Sequence, residues 1–339
     1  MSELVSILIP AHNAEKWIAA TIKSAINQTW PKKEIIIVDD GSIDNTFEIA
    51  KKFESNAVKV VTQENAGSCS ARNKALSYAQ GDYIQWLDAD DLLHPDKLSL
   101  QLSDNERGSI SRILLTCSWG KFFYRETQAK FKPNSLWQDL QPVEWIINKF
   151  EDSVWMNPTV WLVSRRLTEL AGTWDLRTIQ DDDGEYICRI VTASTGVKFV
   201  PRAKSYYRIG NIHSLSSKRS DDHLESFFLS MCLQIEHLLA IENSERSRRA
   251  CVKLIQNTLP LFIQEKPEIV IKAEELAHSL GGTLSPYKGS LKYQMVSKLF
   301  GWKNAKKIKT ASYRAKLAAE KSWDAFLYHI NRFSAGKDQ

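Results

Sequence analysis

Long apolar runs are missing from this chain of 339 residues: no stretch of about 18 apolar residues occurs, so no bilayer-crossing segment is expected. Cysteine is sparse. The five cysteines (Cys69, Cys117, Cys188, Cys232, Cys251) include no C-x-x-C pair, which speaks against a disulfide framework or a zinc site and for a reducing compartment. Met1 to Ser6 lack a basic stretch followed by an apolar one, so no leader is expected and a cytoplasmic location is. With 10 prolines, 14 glycines, 43% hydrophobic and 25% charged residues, collagen-like and disordered chains are excluded. There is no G-x-G-x-x-G after the first apolar run, no G-x-x-x-x-G-K-[ST], no H-E-x-x-H and no G-x-S-x-G. These absences count against a dinucleotide dehydrogenase, a P-loop enzyme, a zinc protease and an α/β-hydrolase. The seven histidines show no ligand spacing, and only His213, in a hydroxyl-rich loop, is a candidate site residue.

What is present is alternation. Val5–Ile9, Glu34–Val38, Val58–Val61 and Tyr83–Leu87 are short β-branched or aromatic runs, as expected for strands covered on both faces. Helical patterns lie between them, over Ala14–Gln28 and Ser70–Tyr78. That order predicts βαβ units and a largely parallel sheet. Ser118–Trp155 is aromatic-rich and irregular, predicting loops and short helices along a cleft. A strand at Val160–Val163, helices over Arg166–Ala171 and Asp182–Thr195, and two short strands at Val197–Val200 and Ser205–Arg208 follow. Beyond Ser217 the patterns are helical: Asp221–Ile241, Glu245–Phe262 and Glu268–Leu280, then a basic tail. The expected division is 1–215 as an α/β unit (1–100 and 101–215 as its halves), 216–287 as a helical extension and 288–339 as the tail.

Three acidic clusters sit where chemistry is expected. Asp39-Asp40-Gly41-Ser42 follows the second strand, and ligands of open α/β sheets collect beyond strand carboxyl ends. Turn and N-cap chemistry explains that cluster equally well. Asp88-Ala89-Asp90-Asp91 follows the fourth strand. Two charges about 4 Å apart repel by roughly 4 kcal/mol at an effective dielectric near 20, so such a cluster wants a cation, a proton or solvent. Oxygen donors with open positions suit Mg²⁺ or Mn²⁺ bridging to a phosphate. Asp181-Asp182-Asp183-Gly184-Glu185 opens a helix; macrodipole relief accounts for one or two acids but not for four. A carboxylate there facing a cleft would serve as a general base. Arg72 and Arg208 are the basic groups expected near the same sheet end, with a surface pairing of Arg72 to Glu64 as the alternative.

Taken in order, these segments resemble the family 2 glycosyltransferases. The match is carried by Val5–Asn13, Gln28-Thr29-Trp30, Ile37–Ser42, Asn65–Asn73, Ala79–Tyr83, Asp88–Asp91 and Asp182–Glu185 with Arg189, spanning roughly residues 4–215. The resemblance implies a GT-A fold, α/β with a mostly parallel sheet flanked by helices, and inverting sugar transfer from a nucleotide-sugar donor to an acceptor hydroxyl in polysaccharide or glycoconjugate synthesis. A UDP-sugar is the first expectation for the donor. Pro10, Ala11, Asp39, Asp40, Arg72 and Asp88 would bind the nucleotide sugar, with Asp40 and Ala11 against the base and Asp88 on the ribose. Asp90 would hold Mn²⁺ or Mg²⁺ on the diphosphate, and Asp183 would be the base. This chain has Asp182 where the family commonly has Glu, so the choice among Asp181, Asp182 and Asp183 stays open. A non-catalytic nucleotide-sugar-binding scaffold and a nucleotidyltransferase are the alternatives. The acceptor is expected to be a saccharide or a lipid-linked sugar, and no nucleic-acid partner is expected.

The net charge of +5 is unevenly placed. Residues 288–339 hold 12 Lys and Arg against 3 acids, whereas the other 287 residues hold 33 against 37. In the tail Leu291, Met295, Leu299, Trp302, Ile308 and Phe326 interleave with lysines. Such a segment either docks on the body or lies on an anionic membrane, where each Lys contributes roughly 1 kcal/mol. Five tryptophans, Trp119, Trp137, Trp145, Trp155 and Trp161, crowd the acceptor half; most are expected in the core, with one or two facing the cleft.

Overall fold

The structure is a computed structural model that describes residues 3–103, 112–210, 220–263, 265–285, 298, 311–312 and 315–330. His213 and most of the basic tail lie outside the described residues. The first strands and helices are β1 (Val5–Ala11), α1 (Ile18–Ile26), β2 (Lys33–Asp40), α2 (Thr46–Lys51), β3 (Val58–Gln63), α3 (Ser68–Tyr78) and β4 (Tyr83–Trp86). β1 pairs in parallel with both β2 and β4, and β2 with β3, as the βαβ pattern requires. Side chains alternate between faces: Val5, Ile7 and Ile9 join Ile35 and Ile37 in one core, while Leu8 joins Ile36 and Val38 in the other. Both faces are covered, which is why these strands read as continuous apolar runs.

After β4 come β5 (Leu92–Leu93), α4 (Lys97–Ser103), β6 (Ile113–Phe122), β7 (Lys130–Phe131), α5 (Pro142–Asp152), β8 (Leu162–Ser164), α6 (Arg165–Ala171), α7 (Asp182–Ala193) and β9 (Gly196–Arg208). The sheet order is β3-β2-β1-β4-β8-β6-β9-β5, with β7 on β6. β8 enters antiparallel between β4 and β6. Two expectations are corrected here. The stretch 118–155 is not mainly irregular: it contains the end of the ten-residue β6 and the eleven-residue α5. The two short strands near 197–208 are one strand, whose pairing with β6 shifts register between Cys117 and Ser118. That bulge absorbs the interruption at Pro201, a residue with no N–H for the ladder.

Three helices follow, α8 (Asp221–Ile241), α9 (Glu245–Thr258) and α10 (Pro267–Ser279). By length and composition α8 is apolar enough to cross a membrane, unlike the expectation from uninterrupted apolar runs. Its Met231, Ile235 and Leu238 are buried in the same core as α7 and the sheet, and its polar residues bond to α5 and α7, so it packs as a core helix. Residues 315–330 are also helical and rest on the end of β6: Asp324 accepts the N–H groups of Tyr124 and Arg125 and pairs with the Arg125 guanidinium at 2.7 Å.

Candidate active site

The carboxyl ends of β1, β2 and β4 face the start of α7 across one cleft. The parallel register sets Ala11 beside Asp39 and Pro10 beside Val38, so the first two motifs adjoin by strand pairing alone. Asp40 is buried, and its carboxylate accepts from the Ala66 and Gly67 amides at 2.9 Å and from Gln63 Nε2 at 2.7 Å. It thereby fixes the loop that starts α3. Gly67 needs its positive φ of 90° there, and a Cβ on Gly41 (φ 66°) would strike the Asn65 amide. Asp39 is buried too; its Oδ2 accepts from Ser42 and Thr62, while Oδ1 has no hydrogen-bond partner among the described residues. A buried acceptor without a donor is costly unless something supplies one, and this oxygen lies at the loop that the resemblance assigns to the donor.

Arg72 is the hub. Its guanidinium donates from Nη1 to Asp182 Oδ2 at 2.5 Å and from Nη2 to Asp88 Oδ1 at 3.0 Å, over the Trp174 ring at 4.3 Å. Trp174 stacks on Tyr186 with centroids 4.0 Å apart and meets Trp86 edge-on. Asn73 exchanges two hydrogen bonds with the Trp174 backbone. The surface pairing with Glu64 is thus not what Arg72 makes; it joins the second acidic cluster to the third.

The three aspartates at α7 divide by partner. Asp181, in the left-handed region at φ 58°, turns to α8 and accepts from Gln234 Nε2 at 2.6 Å and Ser230 Oγ at 3.1 Å. Asp182 turns to Arg72 and Ser68. Asp183 is half-buried, and among the described residues its carboxylate has no hydrogen-bond or ion-pair partner. Burial, with the charges of Asp182 and Asp181, pushes Asp183 up to about 8. Burial pushes Asp181 up as well.

In the second cluster Asp91 is fully buried, accepting from the Arg208 amide at 2.8 Å and Thr159 Oγ1 at 2.9 Å. Burial, then the charges of Asp90 and Asp88, raises its pKa. Arg208 is buried; it donates to the Asp90 and Phe123 carbonyls and lies over the Trp17 and Phe122 rings. Its guanidinium fixes the loop that carries Asp90. No group of three or more His, Cys, Asp or Glu side chains converges among the described residues to hold an ion alone. The donor set fits a hard cation held by one or two of these carboxylates and completed by phosphate oxygens, a mode that Mg²⁺ favours.

Not foreseen from the sequence are the Trp174–Tyr186 platform and Tyr207. Tyr207 packs against Trp155 and Trp119, with centroids 5.2 and 5.9 Å apart. Burial, then the charges of Asp91, Asp90, Asp88 and Asp183, raises its hydroxyl pKa. Trp145 and Trp161 are core, while Trp119 and Trp155 line a cavity with Phe122 and Phe123 at the end of β6.

Residues 6–153 match the family model described as Glycosyl transferase family 2. That match spans 148 of the 339 residues, somewhat less than half of the chain. It is 42% identical over 109 residues to the UDP-Glc:alpha-D-GlcNAc-diphosphoundecaprenol beta-1,3-glucosyltransferase WfgD of Escherichia coli, covering 32% of this chain and 43% of that protein. It is 31% identical over 179 residues to the glycosyltransferase GlyG of Streptococcus pneumoniae, covering 49% and 58%. The aligned parts are thus less than two thirds of these relatives' lengths. Residues 1–349 of TarS from S. aureus, solved with UDP-GlcNAc, superpose with a TM-score of 0.63 at 17% identity, covering 92% of each chain. The same TarS fragment with UDP gives 0.61. This likeness shows the GT-A fold with its C-terminal helices. The matched segment therefore carries the first two acidic clusters, and the third, at the start of α7, follows it in the chain.

Proposed function

We propose that the protein is an inverting glycosyltransferase that moves a sugar from a UDP-sugar to a hydroxyl of a saccharide or lipid-linked acceptor in polysaccharide or glycoconjugate synthesis. The observation that carries this reading is Asp183: a half-buried carboxylate without a hydrogen-bond partner among the described residues, set beside two aspartates whose carboxylates are engaged elsewhere. Asp183 takes the proton from the acceptor hydroxyl as that oxygen bonds to the anomeric carbon. The bond from that carbon to the diphosphate breaks on the opposite face, inverting the centre and releasing UDP. Pro10, Ala11, Asp39 and Asp40 shape the nucleotide subsite, with Asp39 Oδ1 offering an acceptor to a base N–H. Asp88 faces the ribose, and Arg72 positions Asp88 and Asp182 while adding positive charge near the diphosphate.

Asp90 would hold Mn²⁺ or Mg²⁺, which when bound supplies charge neutralisation to the departing diphosphate. No cysteine is set up as a nucleophile: burial, then the charge of Asp182, pushes Cys69 up to about 12. The WfgD and TarS names support a UDP-sugar donor, and WfgD a lipid-linked acceptor. Peripheral membrane contact at the inner face suits such an acceptor; Trp323, Phe326 and Ile330 on the C-terminal helix are 63%, 55% and 44% exposed, and the first two stack. A thermal-shift screen of nucleotide sugars with and without Mn²⁺ tests the donor and the cation together. Stabilisation by a UDP-sugar, enhanced by Mn²⁺, is expected; no response to any nucleotide sugar contradicts the proposal.

A further inference from the structure

A cavity of about 570 Å³ lies between the β6–β7 region and the 315–330 helix. Its size suits a disaccharide-scale ligand. One wall is aromatic: Trp119 and Trp155 have centroids 4.9 Å apart, and Trp155 keeps 38% of its surface exposed. Both rings touch Tyr207, the residue before Arg208, whose amide donates to the Asp91 carboxylate. Phe123 lines the cavity, and its carbonyl and that of Asp90 accept from the same Arg208 guanidinium, so the cavity adjoins the loop of the second acidic cluster.

Its charges do not balance. Arg125 is paired with Asp324 at 2.7 Å and Lys130 with Glu320 at 3.5 Å. Lys121 and Lys132 line the same cavity, and among the described residues neither is paired with an acid. Lys121 stands 5.6 Å from the centroids of both Trp119 and Trp155, so its ammonium is held over the aromatic wall. Burial, then the charge of Lys132, lowers its pKa, as expected of two like charges facing one space without a counter-charge. Two ammonium groups at the edge of a sugar-sized aromatic cavity complement one kind of ligand.

We propose that this cavity is the acceptor subsite and that it selects a sugar bearing an anionic group, phosphate or carboxylate: the ring lies on Trp119 and Trp155, and the anion sits between Lys121 and Lys132. The proposal deepens the transferase reading and rests on it for the word acceptor. The source of the anion, a glycosyl phosphate as in a lipid-linked sugar or a uronate as in an acidic glycan, is a matter of which probe binds.

Calorimetric titration of the full chain, with UDP present to fill the donor site, compares N-acetylglucosamine 1-phosphate, a glucuronic-acid disaccharide and neutral diacetylchitobiose. At low salt at least one anionic probe should bind about tenfold more tightly than chitobiose, with the preference shrinking in high salt. The Lys121→Gln/Lys132→Gln double variant should lose that preference and retain UDP binding. Trp155→Ala should weaken every probe. Preference for the phosphate assigns a glycosyl phosphate, and preference for the uronate an acidic glycan. Equal binding of chitobiose, no binding of either anionic probe, or a preference that survives the double variant overturns the proposal. Failure of the wild-type chain to bind UDP counts against the transferase reading alone, because dependence on Lys121 and Lys132 locates the anion independently.

Discussion

Arg72 and Asp182 form an ion pair of 2.5 Å, and the same guanidinium reaches Asp88 at 3.0 Å. One side chain from α3 thus holds the end of β4 against the start of α7, and with it the distance between Asp88 and Asp183.

Replacing Arg72 should therefore damage both the fold and the chemistry. Only 8% of its side chain is exposed, so removal strands two carboxylates in a poorly solvated place. Arg72→Ala should cost about 3 kcal/mol in urea unfolding, in line with breaking a buried pair from one side. Arg72→Lys should recover part of the stability but little of the transfer rate, because an ammonium cannot bridge both acids in one plane. Equal loss in both variants would show that charge alone matters.

The pH dependence follows from Asp183. A base must be deprotonated, and this carboxyl is held up to about 8 in the free protein by burial and its acidic neighbours. The rate at low substrate should rise with pH and level off above about 8. The same shift makes the charged form unfavourable for the fold: below the ordinary carboxylate pKa both states are protonated, and the cost grows as pH rises toward 8. Asp183→Asn should thus raise the melting temperature at pH 7 and leave it unchanged near pH 3. An equal effect at both pH values would remove the titration account.

Much of the site was legible from the order of motifs, because strand ends and glycine-bearing turns carry local signatures. β1 to β4 stand where their apolar runs predict, and α8 spans the predicted Asp221–Ile241. What stayed hidden depends on packing between distant segments. Asp181, Asp182 and Asp183 are equivalent in sequence and separate only when Gln234 takes the first and Arg72 the second. β6 was missed because Thr116, Cys117, Ser118 and Gly120 interrupt its apolar pattern, although Thr116, Cys117 and Ser118 are buried. α5 lies in the stretch expected to hold loops and short helices; only its bounds, opening at Pro142 in the first helical position, went unread.

The C-terminal helix should be held chiefly by one carboxylate. Asp324 accepts from the Tyr124 and Arg125 amides and pairs with the Arg125 side chain. Asp324→Ala should weaken that docking by about 1–3 kcal/mol. Faster hydrogen exchange at the Tyr124 and Arg125 amides, with unchanged exchange in β1, is the expected result. Unchanged exchange at both amides would mean that the tilted ring contact of Tyr124 with Tyr328 suffices.

Membrane contact, if it follows from the tail and the exposed Trp323 and Phe326, should need anionic lipid. The full chain should pellet with vesicles rich in phosphatidylglycerol and not with phosphatidylcholine, and deletion of residues 288–339 should abolish pelleting. Pelleting that survives the deletion would place the contact elsewhere.

The most direct test of the central claim is the Asp183→Asn variant, measured side by side for UDP-sugar affinity and for sugar transfer. Donor affinity should stay within about twofold of wild type while transfer falls by roughly a thousandfold, the scale of a lost general base. Transfer at the wild-type rate would contradict the assignment of Asp183 and the mechanism built on it.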